Sequence, residues 1–322
     1  MNEKEIYRNT IYRVVHGSRA YGTHRPDSDF DEKGVCILDD PRYYFGTKNF
    51  EQKDKGWEDG NDRVIFDIRK FFNLALSCNP NIVEILYVDD SDILHIDELG
   101  KRLREAREIF LSRMAAKTFV GYAVSQLNRI RGHKSWHDNA PAKPVEEDYW
   151  HRHEIGVGDP NFKREFDNHH FYVEAPTLLE RDAVTYHPDP VILHHFDEAG
   201  FKAAKKKYKQ YLDWKKHRNP DRARIEAEHG FDRKHAYHLI RLLRMGKEII
   251  TEGKVRVKRP DAKELLDIRN GLKFSYDELV DYADTLKEEV NASVANSPLP
   301  AKPDYERAEA LLTELVQAQL AK

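Results

Sequence analysis

The sequence predicts an α+β protein: a mixed sheet with helices near the N-terminus, then a mostly helical remainder. Three observations predict it. Short runs with strand character, "IYRVVHG", "FDEKGVCIL" and "DRVIFDI", are spaced through the first seventy residues. An apolar stretch, "RKFFNLALSC", follows the last of them directly. Beyond residue 197 the chain carries long segments of helical period, the last of them separated by the Pro-marked turns "VKRPDA" and "NSPLPAKPD".

In chain order, strands are expected at 11–17, 30–38 and 62–68. Phe71, Phe72, Leu74, Ala75 and Leu76 suit a buried helix, and "NPNIVEILYV" restarts one, with Asn79 as cap and Pro80 in its first turn. Residues 98–130 are helical and heavily charged. Residues 131–196, rich in His, Pro and aromatics, are expected to be loop-rich. Helices return at 197–218, 232–251, 275–292 and 304–320. This organisation divides the chain into a first domain, 1–115, and a helical domain, 116–322.

Composition excludes more than it selects. The 53 Lys and Arg against 56 Asp and Glu leave a net charge of −3, so only local charge clusters can indicate a partner. Cys36 and Cys78 have no zinc-like spacing and make no disulfide scaffold. The N-terminus has no signal-like apolar region, and no apolar run reaches membrane-spanning length. A soluble, cytoplasmic protein is expected. The 16 histidines raise the question of a metal site, but "HRHE" and the pairs at 169–170 and 194–195 form no H-E-x-x-H motif. A metal-dependent phosphohydrolase site using His235, His238 and another pair is the disfavoured reading. No Walker-type loop or nucleophile elbow is present, which leaves ATPase and serine-hydrolase readings without support.

The chemistry-bearing stretch is "VVHGSRAYGTHRPDSDFDEKGVCIL", residues 14–38. On a strand, Asp29 and Asp31 project from one face, with Phe30 expected to point into the core. Adjacent carboxylates repel unless a cation neutralises them, and hard divalent ions do this well. Upstream, Gly17 and Ser18 form a turn whose backbone N–H groups and hydroxyl suit a phosphate tail, with Arg19 beside it. A phosphate cradle next to an acid pair is the layout of two-metal phosphoryl or nucleotidyl transfer.

This motif resembles the G-S…D-x-D signature of the DNA polymerase beta-like nucleotidyltransferases. More narrowly, the chain resembles the RNA-repair-pathway polymerase-beta family of bacteria and phages. The segments "FDIRKFFNLALSCNPNIVEILY", "KHAYHLIRLLRMGKEI" and "RPDAKELLDIRNG" follow in that family's order. The resemblance implies a Mg²⁺- or Mn²⁺-dependent enzyme, with a catalytic domain of that fold, that moves a nucleoside monophosphate from an NTP to an acceptor hydroxyl. Asp29 and Asp31 would hold the metals, and Gly17 and Ser18 the phosphates. It also implies a third carboxylate, which the family's pattern puts at Asp67. Asp62 is the rival, and Glu58 and Asp59 are weaker candidates. An RNA end is the expected acceptor; a protein hydroxyl, or a non-catalytic RNA-binding module on the same fold, are the alternatives. No protein partner is indicated.

Two further segments carry candidate contacts. In "FDRKHAYHLIRLLRMGKEII", Ala236, Leu239, Ile240, Leu243 and Ile250 form an apolar stripe, and Lys234, His238 and Arg241 fall together opposite it. Such a stack suits a clamp on the nucleotide's phosphates. The stretch 201–224 holds ten Lys or Arg against two acids, with interleaved aromatics. There Lys205, Lys206, Lys207, Lys209, Lys215 and Lys216 are the candidates for RNA contact.

Overall fold

The computed structural model describes residues 3–54, 57, 62–155, 171–174, 191–217, 226, 228 and 230–322. In chain order the elements are α1 (Glu3–Arg8), β1 (Thr10–His16), α2 (Gly17–Ala20), β2 (Asp31–Cys36), α3 (Arg42–Phe45), β3 (Gln52–Lys53), β4 (Asp62–Asp67), α4 (Ile68–Leu76), α5 (Pro80–Leu86), β5 (Ile93–Ile96), α6 (Glu98–Glu105) and α7 (Met114–Asp138). There follow β6 (Trp150–Ile155), β7 (Phe171–Glu174), β8 (Val191–Phe196) and α8 (Glu198–His217). The C-terminal helices are α9 (Arg233–Glu252), α10 (Ala262–Arg269), α11 (Tyr276–Ser293) and α12 (Tyr305–Leu320).

The first sheet is mixed, in the order β3-β4-β2-β1-β5. Antiparallel pairing of β1 with β2 sets His16 opposite Asp31. Parallel pairing of β2 with β4 sets Asp31 opposite Asp62 and Cys36 opposite Asp67. The β-branched, apolar sequence of β1 suits a strand covered on both faces, and all its residues but Arg13 are buried. Helices α4 and α5 supply Phe71, Phe72, Ile82, Val83 and Leu86 to the core, each worth roughly 1.5–3 kcal/mol of burial. Asn79 caps α5 by accepting from Asn81 N–H, as its position before Pro80 suggests.

The chain does not divide at 115. One compact unit is Met1–Lys134 with Arg224–Lys322, and the other is Ser135–Ala223. The reason lies in the core: a single cluster of buried side chains runs from Ile11 through Phe72, Phe119 and Leu243 to Val316. Side chains from both sides of residue 115 fill that one core. Hydrogen bonds tie the same ends, with Gln319 Nε2 donating to Asn9 Oδ1 at 3.1 Å and Asp304 N to Ile109 O at 2.9 Å.

Between 131 and 196, where loops were expected, the described residues carry regular structure. Helix α7 continues to Asp138, and the described residues include an antiparallel sheet in the order β6-β8-β7. The histidine pair 169–170 lies outside the described residues, as do Glu58 and Asp59. Among the described residues, no helix is long and apolar enough to cross a membrane.

Candidate active site

The site is built where β1 ends and β2 begins. After His16 the chain turns sharply at Gly17, whose φ of +65° is a left-handed conformation that favours glycine. A Cβ on Gly17 would stand 2.0 Å from Asp31 Oδ2, so the Asp31 carboxylate lies directly against the backbone of the turn. Asp29 precedes the strand, in a segment outside any helix or strand, and is exposed. Arg19 fixes that segment: its guanidinium donates to the carbonyls of Ser28 at 3.0 Å and Asp29 at 3.3 Å. The guanidinium also lies over the Phe30 ring, 5.6 Å from its centre. Arg19, expected beside the phosphate cradle, is thus engaged in holding the acid-bearing loop. Phe30 does not enter the core; it is 43% exposed.

Asp31 has two acidic neighbours. Burial raises its carboxyl above the usual range, and the charges of Asp62 and Asp29 raise it further, with Lys33 and Lys234 opposing them. In parallel strands, residues in register share a face, so β4 delivers Asp62 to the side of the sheet that carries Asp31. Asp31 is thus half-buried within reach of two other carboxylate charges, and a hard divalent cation bound there would relieve the repulsion.

The structure does not bring Asp67 to this group. It lies five residues further along β4, about 16 Å away at the usual strand rise, and an odd separation puts it on the opposite face. Its carboxylate caps α4: Oδ1 accepts from Arg69 N–H and from Arg69 Nε, both at 3.0 Å. A lone acid between a strand and an apolar helix is an N-cap pattern, and here Oδ1 fills that role. Asp67 is 1% exposed, and burial raises its carboxyl against the pull of Arg69.

The helix residues divide as well. Lys234 reaches the acid cluster closely enough for its charge to act on Asp31. His238 is held well below the ordinary imidazole range by burial and then by Arg241 and Lys234, so its ring is neutral at pH 7. Arg241 is no exposed clamp. It is 4% exposed, pairs with Glu84 and stacks on Tyr21, with its guanidinium carbon 3.9 Å from the ring centre. The expected polar face of α9 therefore runs from the acid cluster into the protein's interior.

Behind Asp31 lies a charged cluster that sequence reasoning missed. Glu84 accepts from Arg241 and from Tyr21 Oη at 2.6 Å, and its Oε2 lies 3.2 Å from His16 Nε2. Burial by itself would raise the Glu84 carboxyl; Arg241, His16 and Tyr21 override it and hold the group well below the carboxylate range. Burial and then Lys33 bring the His16 imidazole down to about 4, so it is neutral at pH 7. Lys33 was also missed, although alternation along β2 places it on the face of Asp31. Its Nζ donates to Asn81 Oδ1 at 3.2 Å and lies 3.5 Å from His16 Nε2. Burial brings this ammonium down to about 8, against the pull of Glu84 and Asp31. A single Glu inside the apolar run "NIVEILY" was the available signal for a buried ion pair.

Residues 2–144 match the RNA repair pathway DNA polymerase beta family. That is the family whose signature the opening motif resembles. The match takes in Gly17, Asp29, Asp31, Asp62 and Glu84, and ends before α9. The family points to a polymerase-beta-like nucleotidyltransferase of an RNA repair pathway. An uncharacterized 38.9 kDa protein in the nrdC–mobD intergenic region of Enterobacteria phage T4 is 22% identical over 129 residues, covering 37% of this chain and 38% of that protein. No solved structure matches the chain.

In the second unit, the lysines of α8 are exposed, as a nucleic-acid contact requires. The interleaved aromatics are not free beside them. Tyr211 and Trp214 gather on Trp136, with ring centres 6.2 and 5.5 Å away, and Tyr208 stands 6.3 Å from Tyr211.

Proposed function

We propose that this protein is a metal-dependent nucleotidyltransferase that moves a nucleoside monophosphate from an NTP to the hydroxyl of an RNA end. The observation that carries the reading is Asp31, packed against a glycine turn with no room for a side chain, with Asp62 opposite it in register and Asp29 two residues before it, both near enough for their charge to act on it. A divalent cation held by Asp29, Asp31 and Asp62, Mg²⁺ or Mn²⁺, would neutralise the triphosphate and acidify the attacking hydroxyl. The backbone at Gly17 and Ser18 cradles the phosphates, and Lys33 and Lys234 add positive charge beside them. The acceptor oxygen forms a bond to the α-phosphorus, the bond from that phosphorus to the bridging oxygen breaks, and pyrophosphate leaves. Asp62 accepts the hydroxyl proton. RNA as acceptor is favoured by the family and by the lysine-rich face of α8.

The test is incubation with each labelled NTP and Mg²⁺ or Mn²⁺, with and without RNA, for wild type and single Asp→Asn variants. Label should pass to RNA, and Asp31→Asn and Asp62→Asn should each reduce transfer at least ~100-fold. Asp67→Asn should retain it, because Asn also caps a helix. Loss in Asp67→Asn with retention in Asp62→Asn would refute this set of acids. Label following a polypeptide would replace the RNA acceptor with a protein one.

A further inference from the structure

Away from the acid cluster, three metal-ligating side chains from two helices meet. His133 comes from α7, and Asp232 and His235 from the start of α9; one potential ligand atom of each lies within 4.8 Å of the other two. The two imidazole centres are 5.6 Å apart with planes at 62°, so the rings are not stacked. His235 Nε2 stands 3.7 Å from Asp232 Oδ2. That is too long for a hydrogen bond. It is close to the spacing of two donors that each stand about 2.0–2.2 Å from one ion.

The surroundings set both donors. Gln126, seven residues before His133 on α7 and so about two turns away on the same side, has its Oε1 2.8 Å from His235 Nδ1. A carbonyl oxygen there takes the Nδ1 proton, so the lone pair falls to Nε2, the nitrogen 3.7 Å from Asp232 Oδ2. Metal-binding histidines are oriented in this way, by an acceptor on the second ring nitrogen. Asp232 is likewise held by its other oxygen: Oδ1 accepts from Lys234 N–H at 2.8 Å and His235 N–H at 3.1 Å. Oδ2 is the oxygen that faces His235.

We propose that His133, Asp232 and His235 form a second metal site, one for Zn²⁺ or a similar transition-metal ion, that fastens the start of α9 to α7. Two imidazoles and one carboxylate suit such an ion, whereas Mg²⁺ prefers oxygen donors and the acid cluster offers it those. Three protein ligands leave a fourth position for water. The consequence is positional: the residue between Asp232 and His235 that faces the acids is Lys234, so the ion would set where that charge stands relative to Asp31. The existence of the site does not depend on the transfer chemistry proposed above; only this consequence does.

The test uses the full chain, stripped with chelator and titrated with Zn²⁺ by calorimetry and with Co²⁺ by visible absorption, in excess Mg²⁺. One ion per chain should bind, with a four-coordinate Co²⁺ spectrum and a Tm raised by several degrees. His133→Gln and His235→Gln should weaken binding at least ~100-fold, and Gln126→Ala about 10–100-fold. Asp29→Asn with Asp31→Asn should leave it unchanged, which separates this site from the proposed catalytic one. Should a variant fail to fold, the wild type decides alone: Zn²⁺ should protect His133 and His235 from diethyl pyrocarbonate, mapped by mass spectrometry. Absence of saturable binding, equal binding in both histidine variants, or no protection of these two residues would overturn the proposal, the last two by assigning the ion to other histidines.

Discussion

Replacing Gly17 with alanine tests the geometry on which the proposed site depends. Two separate penalties follow. The φ of +65° is unfavourable for alanine, at roughly 1–2 kcal/mol. The new Cβ would also lie 2.0 Å from Asp31 Oδ2, against an ordinary contact of 3.4 Å or more, so the carboxylate must retreat by about 1.4 Å (3.4 − 2.0). A misplacement of about 1 Å in a reacting arrangement costs on the order of 100-fold in rate, or about 2.7 kcal/mol of barrier. Gly22 supplies the control: its φ is +72°, but a Cβ there would meet nothing closer than 3.9 Å. Both variants should show the backbone penalty in urea unfolding. Only Gly17→Ala should lose transfer, measured as pyrophosphate release, by ~100-fold or more, with weakened Mn²⁺ binding. If the two variants match in activity and in metal binding, Asp31 does not need the space that Gly17 leaves, and the reasoning fails.

Two other predictions concern the charged residues away from the turn. Glu84→Gln leaves Arg241 charged and buried without a counter-ion, and should cost roughly 3–5 kcal/mol at pH 7. Because the folded Glu84 carboxyl titrates below its ordinary value of 4.5, its stabilisation is full above that value and is lost as pH falls towards the depressed one. The gap between wild type and Glu84→Gln in urea unfolding should therefore narrow below about pH 5, and a constant gap would contradict the linkage. Changing Lys205, Lys206, Lys207, Lys209, Lys215 and Lys216 to Gln should weaken RNA binding and flatten its salt dependence, by ~0.7 in log–log slope for each phosphate that is no longer neutralised. An unchanged slope would remove α8 from the RNA interface.

Several features were legible in the chain for identifiable reasons. Short apolar runs with β-branched and aromatic residues, "IYRVVHG" and "DRVIFDI", marked strands, and Asn79-Pro80 marked a helix start. The Gly-Ser turn before D-x-D pointed to Asp31, which the structure sets against the turn at Gly17. Asp67 shows where local reading fails. A single acid at a strand end serves equally as a metal ligand or as a helix cap, and the pairing register decides between them. Arg241 fails differently: a helical wheel shows which residues share a face, not what that face packs against. The strands β6–β8 were obscured by a histidine- and proline-rich composition that reads as loop.

The sequence by itself determined the strand and helix periods, the glycine that the turn at residue 17 requires, and the acid pair beside it. All of these are set within a few residues by backbone sterics and side-chain alternation. Tertiary structure alone decided that Asp62 rather than Asp67 stands beside Asp31, that Glu84 and Arg241 neutralise each other in the interior, and that His133 meets Asp232 and His235. Each of these pairs residues distant in the chain. Such partners are chosen by strand register and by the packing of one shared core, which no local stretch of sequence encodes.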